Sequence, residues 1–295
     1  MRLISFRPSD GHDALGVVAG SSWIPAAALL PAGPATMEAL LRGPSGALDD
    51  LRRAADPDRI EREGRPLAEA TLLAPVPRPG KVVAIGRNYK DHAAESGSEP
   101  PASPLIFSKW PSSVIGPGDE IRWDPALATQ VDYEAELGVV IGRTARRVSE
   151  ADALSYVLGY TCVDDVSARD LQFGDGQWVR GKSLDTFCPM GPMVVTTDEI
   201  PDPQTLGIAC HVNGRTLQQA NTSDMYFGVA TIVSHCSQAF TLEPGDVIAT
   251  GTPAGVGAFR DPPILLGDGD EVVVEIEGIG RLVNTCRFDR AAARS

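Results

Sequence analysis

Val131-Asp132-Tyr133-Glu134-Ala135-Glu136-Leu137-Gly138-Val139-Val140-Ile141-Gly142 is the stretch on which the fold turns. Side chains of a strand alternate between its faces. On that rule Asp132, Glu134 and Glu136 share one face, and Val131, Tyr133, Ala135 and Leu137 share the other. Same-face neighbours lie about 7 Å apart at the backbone, from a rise of ~3.4 Å per residue. Ionised together, the acids repel unless something positive lies between them. A hard dication, held by oxygens at about 2.0–2.6 Å, is one solution. A solvated outer face of an edge strand satisfies the same spacing.

Working outward, residues 133–141 are predicted as a strand, with others at 82–86, 104–107, 155–163, 193–196, 207–212, 246–250 and 271–276. Helical stretches are fewer, at 150–154, 166–173 and 229–240, and 89–99 reads as a polar helical turn or loop. Strands joined by long Gly/Pro-rich loops favour a β-rich α+β domain over a regular βαβ layout. Residues 1–75 read as a small, separate unit, with strands at 3–6 and 15–19 and helical periodicity through Met37, Leu40, Leu41, Leu48 and Leu51. Pro75-Val76-Pro77-Arg78-Pro79-Gly80 is a stiff boundary, which leaves 76–295 as the main domain.

The 295 residues carry a formal charge of −13 and a pI near 4.7. Such a chain is repelled by phosphate backbones and anionic lipid, so nucleic-acid and membrane partners are not expected. No apolar run approaches the ~18 residues of a membrane span, and no signal peptide is read at the start. Cys162, Cys188, Cys210, Cys236 and Cys286 form no CxxC pair, which fits buried thiols in a reducing cytoplasm.

Four further segments offer chemistry. In Tyr160-Thr161-Cys162-Val163-Asp164-Asp165-Val166-Ser167-Ala168-Arg169-Asp170, the acidic pair either caps a helix or completes an oxygen-ligand set with Glu134 and Glu136. Lys182, in Arg180-Gly181-Lys182-Ser183, is either a surface residue or a site cation. Residues 247–257, with Thr250-Gly251-Thr252-Pro253, lack the Lys-Ser/Thr of a P-loop and read as a tight loop presenting N–H groups and the Thr252 hydroxyl to a small anion. His92 and Glu95 stand at i, i+3 and share a face if helical, so the acid could orient a histidine base; a hydrophilic surface turn is the other reading.

In this order the segments resemble the fumarylacetoacetate hydrolase family. The resemblance runs from about Lys81 to Cys286. It rests on Gly86-Arg87-Asn88-Tyr89…His92…Glu95, Phe107-Ser108-Lys109, the acidic strand, Asp165-Val166-Ser167-Ala168-Arg169-Asp170, Gly181-Lys182-Ser183 and Leu242-Glu243-Pro244-Gly245-Asp246…Thr250-Gly251-Thr252-Pro253. It implies a mixed β-roll catalytic domain behind a small N-terminal α/β domain, a homodimer, and Mg²⁺ or Mn²⁺ held by Glu134, Glu136 and Asp165. It also implies catalytic roles for His92, Glu95 and Lys182, and substrate contacts from Arg87, Tyr89, Lys109, Arg169 and Thr252. The reaction expected first is hydrolysis of a C–C bond in a small 2-oxo acid of acylpyruvate type through a metal-stabilised enolate. The same resemblance admits an isomerase or decarboxylase of aromatic catabolism, or a ureidoglycolate-type lyase. Specificity is expected from residues 96–103, 172–178 and 221–226.

Overall fold

The structure is a computed structural model that describes residues 1–8, 11–95, 97, 99 and 101–289. Ser96, Ser98 and Pro100, in the segment 96–103 expected to set specificity, lie outside the described residues. The strands are β1 (Arg2–Phe6), β2 (Ala14–Ala19), β3 (Ser22–Pro25), β4 (Arg65–Pro66), β5 (Val82–Gly86), β6 (Leu105–Lys109), β7 (Val114–Ile115), β8 (Glu120–Trp123) and β9 (Val131–Asp132). They continue as β10 (Ala135–Ile141), β11 (Val157–Asp164), β12 (Ser167–Ala168), β13 (Cys188–Thr196), β14 (Gly207–Val212), β15 (Arg215–Asn221), β16 (Val247–Ala249), β17 (Glu271–Ile276) and β18 (Gly280–Phe288). The helices are α1 (Ala26–Leu29), α2 (Met37–Arg42), α3 (Ala47–Ala54), α4 (Pro57–Glu63), α5 (Lys90–Glu95), α6 (Arg169–Gly174), α7 (Val179–Lys182) and α8 (Val229–Ala239).

This is the β-rich α+β architecture expected. One large sheet runs β4-β3-β2-β1-β13-β11-β10-β16-β5-β6, and a second runs β15-β14-β17-β18-β8. The second packs over β10, β11 and β13. Leu137, Val139, Tyr160 and Cys162 meet Ile208, Val274, Leu282 and Cys286 between the sheets, closed by Ile232, Val233 and Cys236 of α8. On the opposite face Val82, Val140 and Met190 join Leu3, Leu15, Leu40 and Leu51. The N-terminal unit thus shares both a sheet and an apolar cluster with the rest, because β1 pairs antiparallel with β13.

The edge-strand reading of the acidic stretch is overturned. β10 lies between β11 and β16, and all its residues are buried. The unbroken strand over 133–141 is corrected too: β9 ends at Asp132 and β10 begins at Ala135. β10 pairs antiparallel with both β11 and β16, and β16 pairs parallel with β5. The start of β10 therefore meets the ends of β5, β11 and β16 at one edge of the sheet. That convergence gathers Arg87, Glu134, Glu136, Asp165 and Thr252. No described helix is long and apolar enough to cross a membrane.

Candidate metal centre and active site

Glu134, Glu136 and Asp165 are buried, and each offers a carboxylate oxygen within 4.8 Å of the other two. The Asp-Asp pair divides the work. Asp164 turns away and accepts the Glu134 N–H through Oδ1 at 2.9 Å, while Asp165 joins the cluster. Neither caps α6, whose N-cap is Ala168 without a side-chain bond. Asp132 also leaves the cluster and accepts from Arg169 Nε at 2.9 Å.

Three buried cations answer these acids. Lys182 Nζ lies 2.7 Å from Glu134 Oε2 and 2.8 Å from Asp165 Oδ2. Lys109 Nζ is 2.6 Å from Asp165 Oδ1, and Arg169 Nη1 is 2.7 Å from Glu134 Oε1. Burial pushes the Glu134 carboxyl up, but Lys182 and Arg169 outweigh it and hold the group down at about 2. Burial opposes the Lys182 ammonium, yet Asp165 and Glu134 raise its pKa, so it stays charged.

Glu136 has no such partner. Its Oε2 accepts the Gly251 N–H at 2.8 Å, and among the described residues no basic side chain lies within 4 Å. Burial, then the charges of Asp165 and Glu134, push it well above the usual carboxylate range. Among the described residues, the buried acids Asp132, Glu134, Glu136, Asp164 and Asp165 are met by three buried basic side chains, Lys109, Arg169 and Lys182. Burial raises Asp164 to about 7, which trims the excess without removing it. A surplus of buried negative charge around convergent hard oxygens suits Mg²⁺ or Mn²⁺, and poorly suits a soft metal. The donor set fits the expected cofactor.

A cavity of about 180 Å³ opens on this cluster. Its walls include Arg87, His92, Arg169, Lys182 and Thr252, five of the residues named from the sequence. His92 Nδ1 is 3.5 Å from Glu95 Oε1, longer than a formed hydrogen bond, and both atoms lack hydrogen-bond partners. Glu95 is anchored from behind by the Gly255 N–H at 2.7 Å. Arg87, at φ 56°, lays its guanidinium over Trp178 at 5.6 Å. A larger cavity of about 470 Å³ lies between the N-terminal strands, α2 and residues 76–80, and holds none of the clustered carboxylates.

Two expected substrate contacts lie elsewhere. Lys109 is fully buried beneath Asp165, held also by the carbonyls of Val166 and Lys182, and does not line this cavity. Tyr89 is buried with an unpartnered hydroxyl whose pKa is driven up by burial and by Glu136; it does not line the cavity either. The loop at 250–258 presents N–H groups to anions, as expected, but the anions are the chain's own: Glu136 on Gly251, Glu95 on Gly255, Asp132 on Gly257 and Ala258. Gly251 holds φ 101°, and a Cβ there would fall 2.7 Å from that of Asn88.

The sequence reading named some contributors only as part of a segment and did not name others. Gln172, inside the segment 172–178, accepts a hydrogen bond from Arg169 Nη1 at 3.0 Å and lines the cavity. Gln218, from β15, donates to the Thr252 hydroxyl at 2.8 Å and accepts the Ala135 N–H at 2.9 Å, with nothing local to mark it. Phe107, Phe173, Trp178 and Phe259 supply aromatic walls. Of the segments expected to set specificity, 172–178 lines the cavity, whereas 221–226 lies behind it, bridging Tyr89 through Met225.

Comparison with known proteins follows the same lines. The profile described as fumarylacetoacetate (FAA) hydrolase C-terminal matches residues 81–287. The mitochondrial oxaloacetate tautomerase FAHD2A of Bos taurus is 44% identical over 289 residues, covering 96% of this chain and 91% of that one. The fumarylacetoacetate hydrolase of psychrophilic Exiguobacterium antarcticum superposes with a TM-score of 0.83 at 38% identity, covering 98% of this chain and 100% of that one. The 2-hydroxyhepta-2,4-diene-1,7-dioate isomerase of Mycobacterium marinum gives a TM-score of 0.75 at 38% identity, with 98% and 99% covered. Motif order, sheet topology and the buried acid cluster lead to one assignment: the chain belongs to the fumarylacetoacetate hydrolase family, a family of enzymes.

Proposed function

We propose that this enzyme moves a proton at the carbon beside the carbonyl of a small 2-oxo acid, an oxaloacetate-type tautomerisation, with Glu134, Glu136 and Asp165 holding Mg²⁺ or Mn²⁺. The observation that carries the reading is the buried triad of convergent carboxylates, with Glu136 unpaired by any cation among the described residues, beside a small cavity. A dication bound there would polarise the substrate carbonyl as a Lewis acid. The tautomerase name of the Bos taurus relative, which aligns over nearly the whole chain, favours this reaction over hydrolysis.

The chain's own groups supply the rest. His92, steadied by Glu95, takes and returns the proton, a role that contributes about 10²–10⁴-fold. Lys182 stays cationic and favours the enolate's negative charge. Arg87 and Thr252 meet the substrate's carboxylate, and Phe107, Trp178 and Phe259 keep water from the reacting carbon.

Hydrolysis of an acylpyruvate-type C–C bond is the second reading. It is supported by the His92 side chain on the cavity wall with Glu95 behind it at 3.5 Å, an arrangement that would serve equally to take a proton from water. The test sets purified enzyme with Mg²⁺ against oxaloacetate and acetylpyruvate, following enol absorbance and product proton NMR. Faster keto–enol exchange without cleavage supports tautomerisation; acetate and pyruvate from acetylpyruvate support hydrolysis. No metal-dependent change in either refutes both. A homodimer is part of the proposal, supported by family resemblance and by exposed Leu105 and Trp110 at the β6 sheet edge, and light scattering tests it. A cytoplasmic setting is proposed from the five free, buried cysteines.

A further inference from the structure

Asp132 is the acid in the decisive stretch that joins no other carboxylate, and it is fully buried. Its surroundings are unusually complete. Oδ2 takes Arg169 Nε at 2.9 Å, lies 2.8 Å from Nη2, and accepts the Ala258 N–H at 3.0 Å. Oδ1 accepts the N–H groups of Gly257 at 2.7 Å and Tyr133 at 2.9 Å. Arg169 carries the connection on, through Nη1 to Glu134 Oε1 at 2.7 Å. The short turn Gly257–Phe259 carries it the other way, to the Phe259 ring on the cavity wall, 6.1 Å from the His92 ring. The approach is tight: a Cβ on Gly257 would lie 2.6 Å from Asp132 Oδ1.

We propose that Asp132 is a positioning residue that joins the cation site to the cavity wall beside the base. It aims Arg169 at Glu134 on one side and fixes the Gly257–Phe259 turn on the other, so that the two halves of the site hold one geometry. Its charge matters as much as its shape. Arg169 is shared between two carboxylates; without Asp132 its full charge falls on Glu134 and weakens that group as an oxygen donor. The inference rests on the reading that Glu134, Glu136 and Asp165 bind a dication.

The experiment compares wild type with Asp132→Asn in three measurements. Mn²⁺ affinity is read from the EPR signal of free Mn²⁺, thermal midpoint is read in EDTA, and hydrogen exchange is followed over residues 255–259. In the variant the Mn²⁺ Kd rises roughly 10–100-fold, the usual effect of losing an outer-shell partner of a ligand. In wild type Mn²⁺ slows exchange across 255–259; in the variant that slowing is lost. A merely structural acid lowers the thermal midpoint while leaving Mn²⁺ affinity and the metal-linked exchange as they were, and that result overturns the proposal. If the Asn variant does not fold, Asp132→Glu keeps the charge and shifts it by one methylene. A Kd raised roughly tenfold then supports the role, and a Kd within twofold of wild type overturns it. If wild type itself binds no Mn²⁺, the cation reading falls and this inference with it.

Discussion

Replacing Glu136 by Gln should move stability in opposite directions with and without metal. Glu136 is buried, lacks a cationic partner among the described residues, and offers an oxygen within 4.8 Å of those of Glu134 and Asp165. At that separation and an effective dielectric of 20, one pair of like charges repels by about 3 kcal/mol. Lys182, 2.7 Å from Glu134 and 2.8 Å from Asp165, cancels part of this, which leaves a relief of about 1–3 kcal/mol on removing the charge. At roughly 2 °C per kcal/mol for a chain of this size, the variant in EDTA should melt about 2–6 °C higher than wild type. The pH dependence follows from the sign of the shift. A carboxyl whose pKa is raised on folding contributes stability that is full below its unfolded value, 4.5 for glutamate, and is lost as pH rises through the folded value. The gain should therefore be present at neutral pH and vanish near about pH 4. Saturating Mn²⁺ should reverse the order, since wild type gains about 4.1 kcal/mol at a thousand times Kd, more than the relief, and the variant gains far less. Differential scanning fluorimetry across pH, with EDTA or Mn²⁺, reads all of this. A variant that melts at or below wild type in EDTA at neutral pH, with unchanged Mn²⁺ affinity, would refute both the repulsion and the ligand role.

Other substitutions separate chemistry from support. His92→Ala should lower kcat by about 10²–10⁴ while Mn²⁺ still binds, and a near-normal rate would remove the base from the mechanism. Lys109→Met should break one of the two buried ion pairs of Asp165 and cost about 3–5 kcal/mol, seen as a large fall in thermal midpoint even in EDTA; a small fall would mean that Lys182 alone suffices. Gly257→Ala places a Cβ against the Ile264 carbonyl and Asp132, and should destabilise by about 1–3 kcal/mol in a denaturant titration; a neutral effect would show that the turn yields easily.

What could be read from residue order was the part governed by local pattern. Apolar runs mark β5, β10 and β11 because a strand buried on both faces must be apolar almost throughout, whereas β14 and β17 are marked by an apolar inner face. β15 and β18 were missed because their exposed positions break that pattern. Family resemblance named Glu134, Glu136 and Asp165, and the structure brings the three together. It also named Lys109 and Tyr89 as substrate contacts, but resemblance gives an approximate position and not a direction, and both side chains are buried away from the cavity.

The break between β9 and β10 shows why the remainder was hidden. Asp132, Glu134 and Glu136 alternate faultlessly, so local spacing predicts three acids on one face. The strand yields at Tyr133 and Glu134 because distant side chains take over its backbone. Asp164 accepts the Glu134 N–H and Gln218 accepts the Ala135 N–H, each at 2.9 Å. Side-chain oxygens thereby replace ladder carbonyls, and buried N–H groups stay satisfied while the chain departs from the pleat. That departure frees Asp132 to face Arg169 and the 257–258 turn, while Glu134 and Glu136 converge on Asp165. It also gives the Asp-Asp doublet its physical reason: one acid holds the bent backbone and the next enters the cluster that the bend creates. Asp132 accepts the neighbouring Tyr133 N–H itself, but the other two partners of the bend come from residues 30 and 83 positions away, beyond any short window of sequence around the acids.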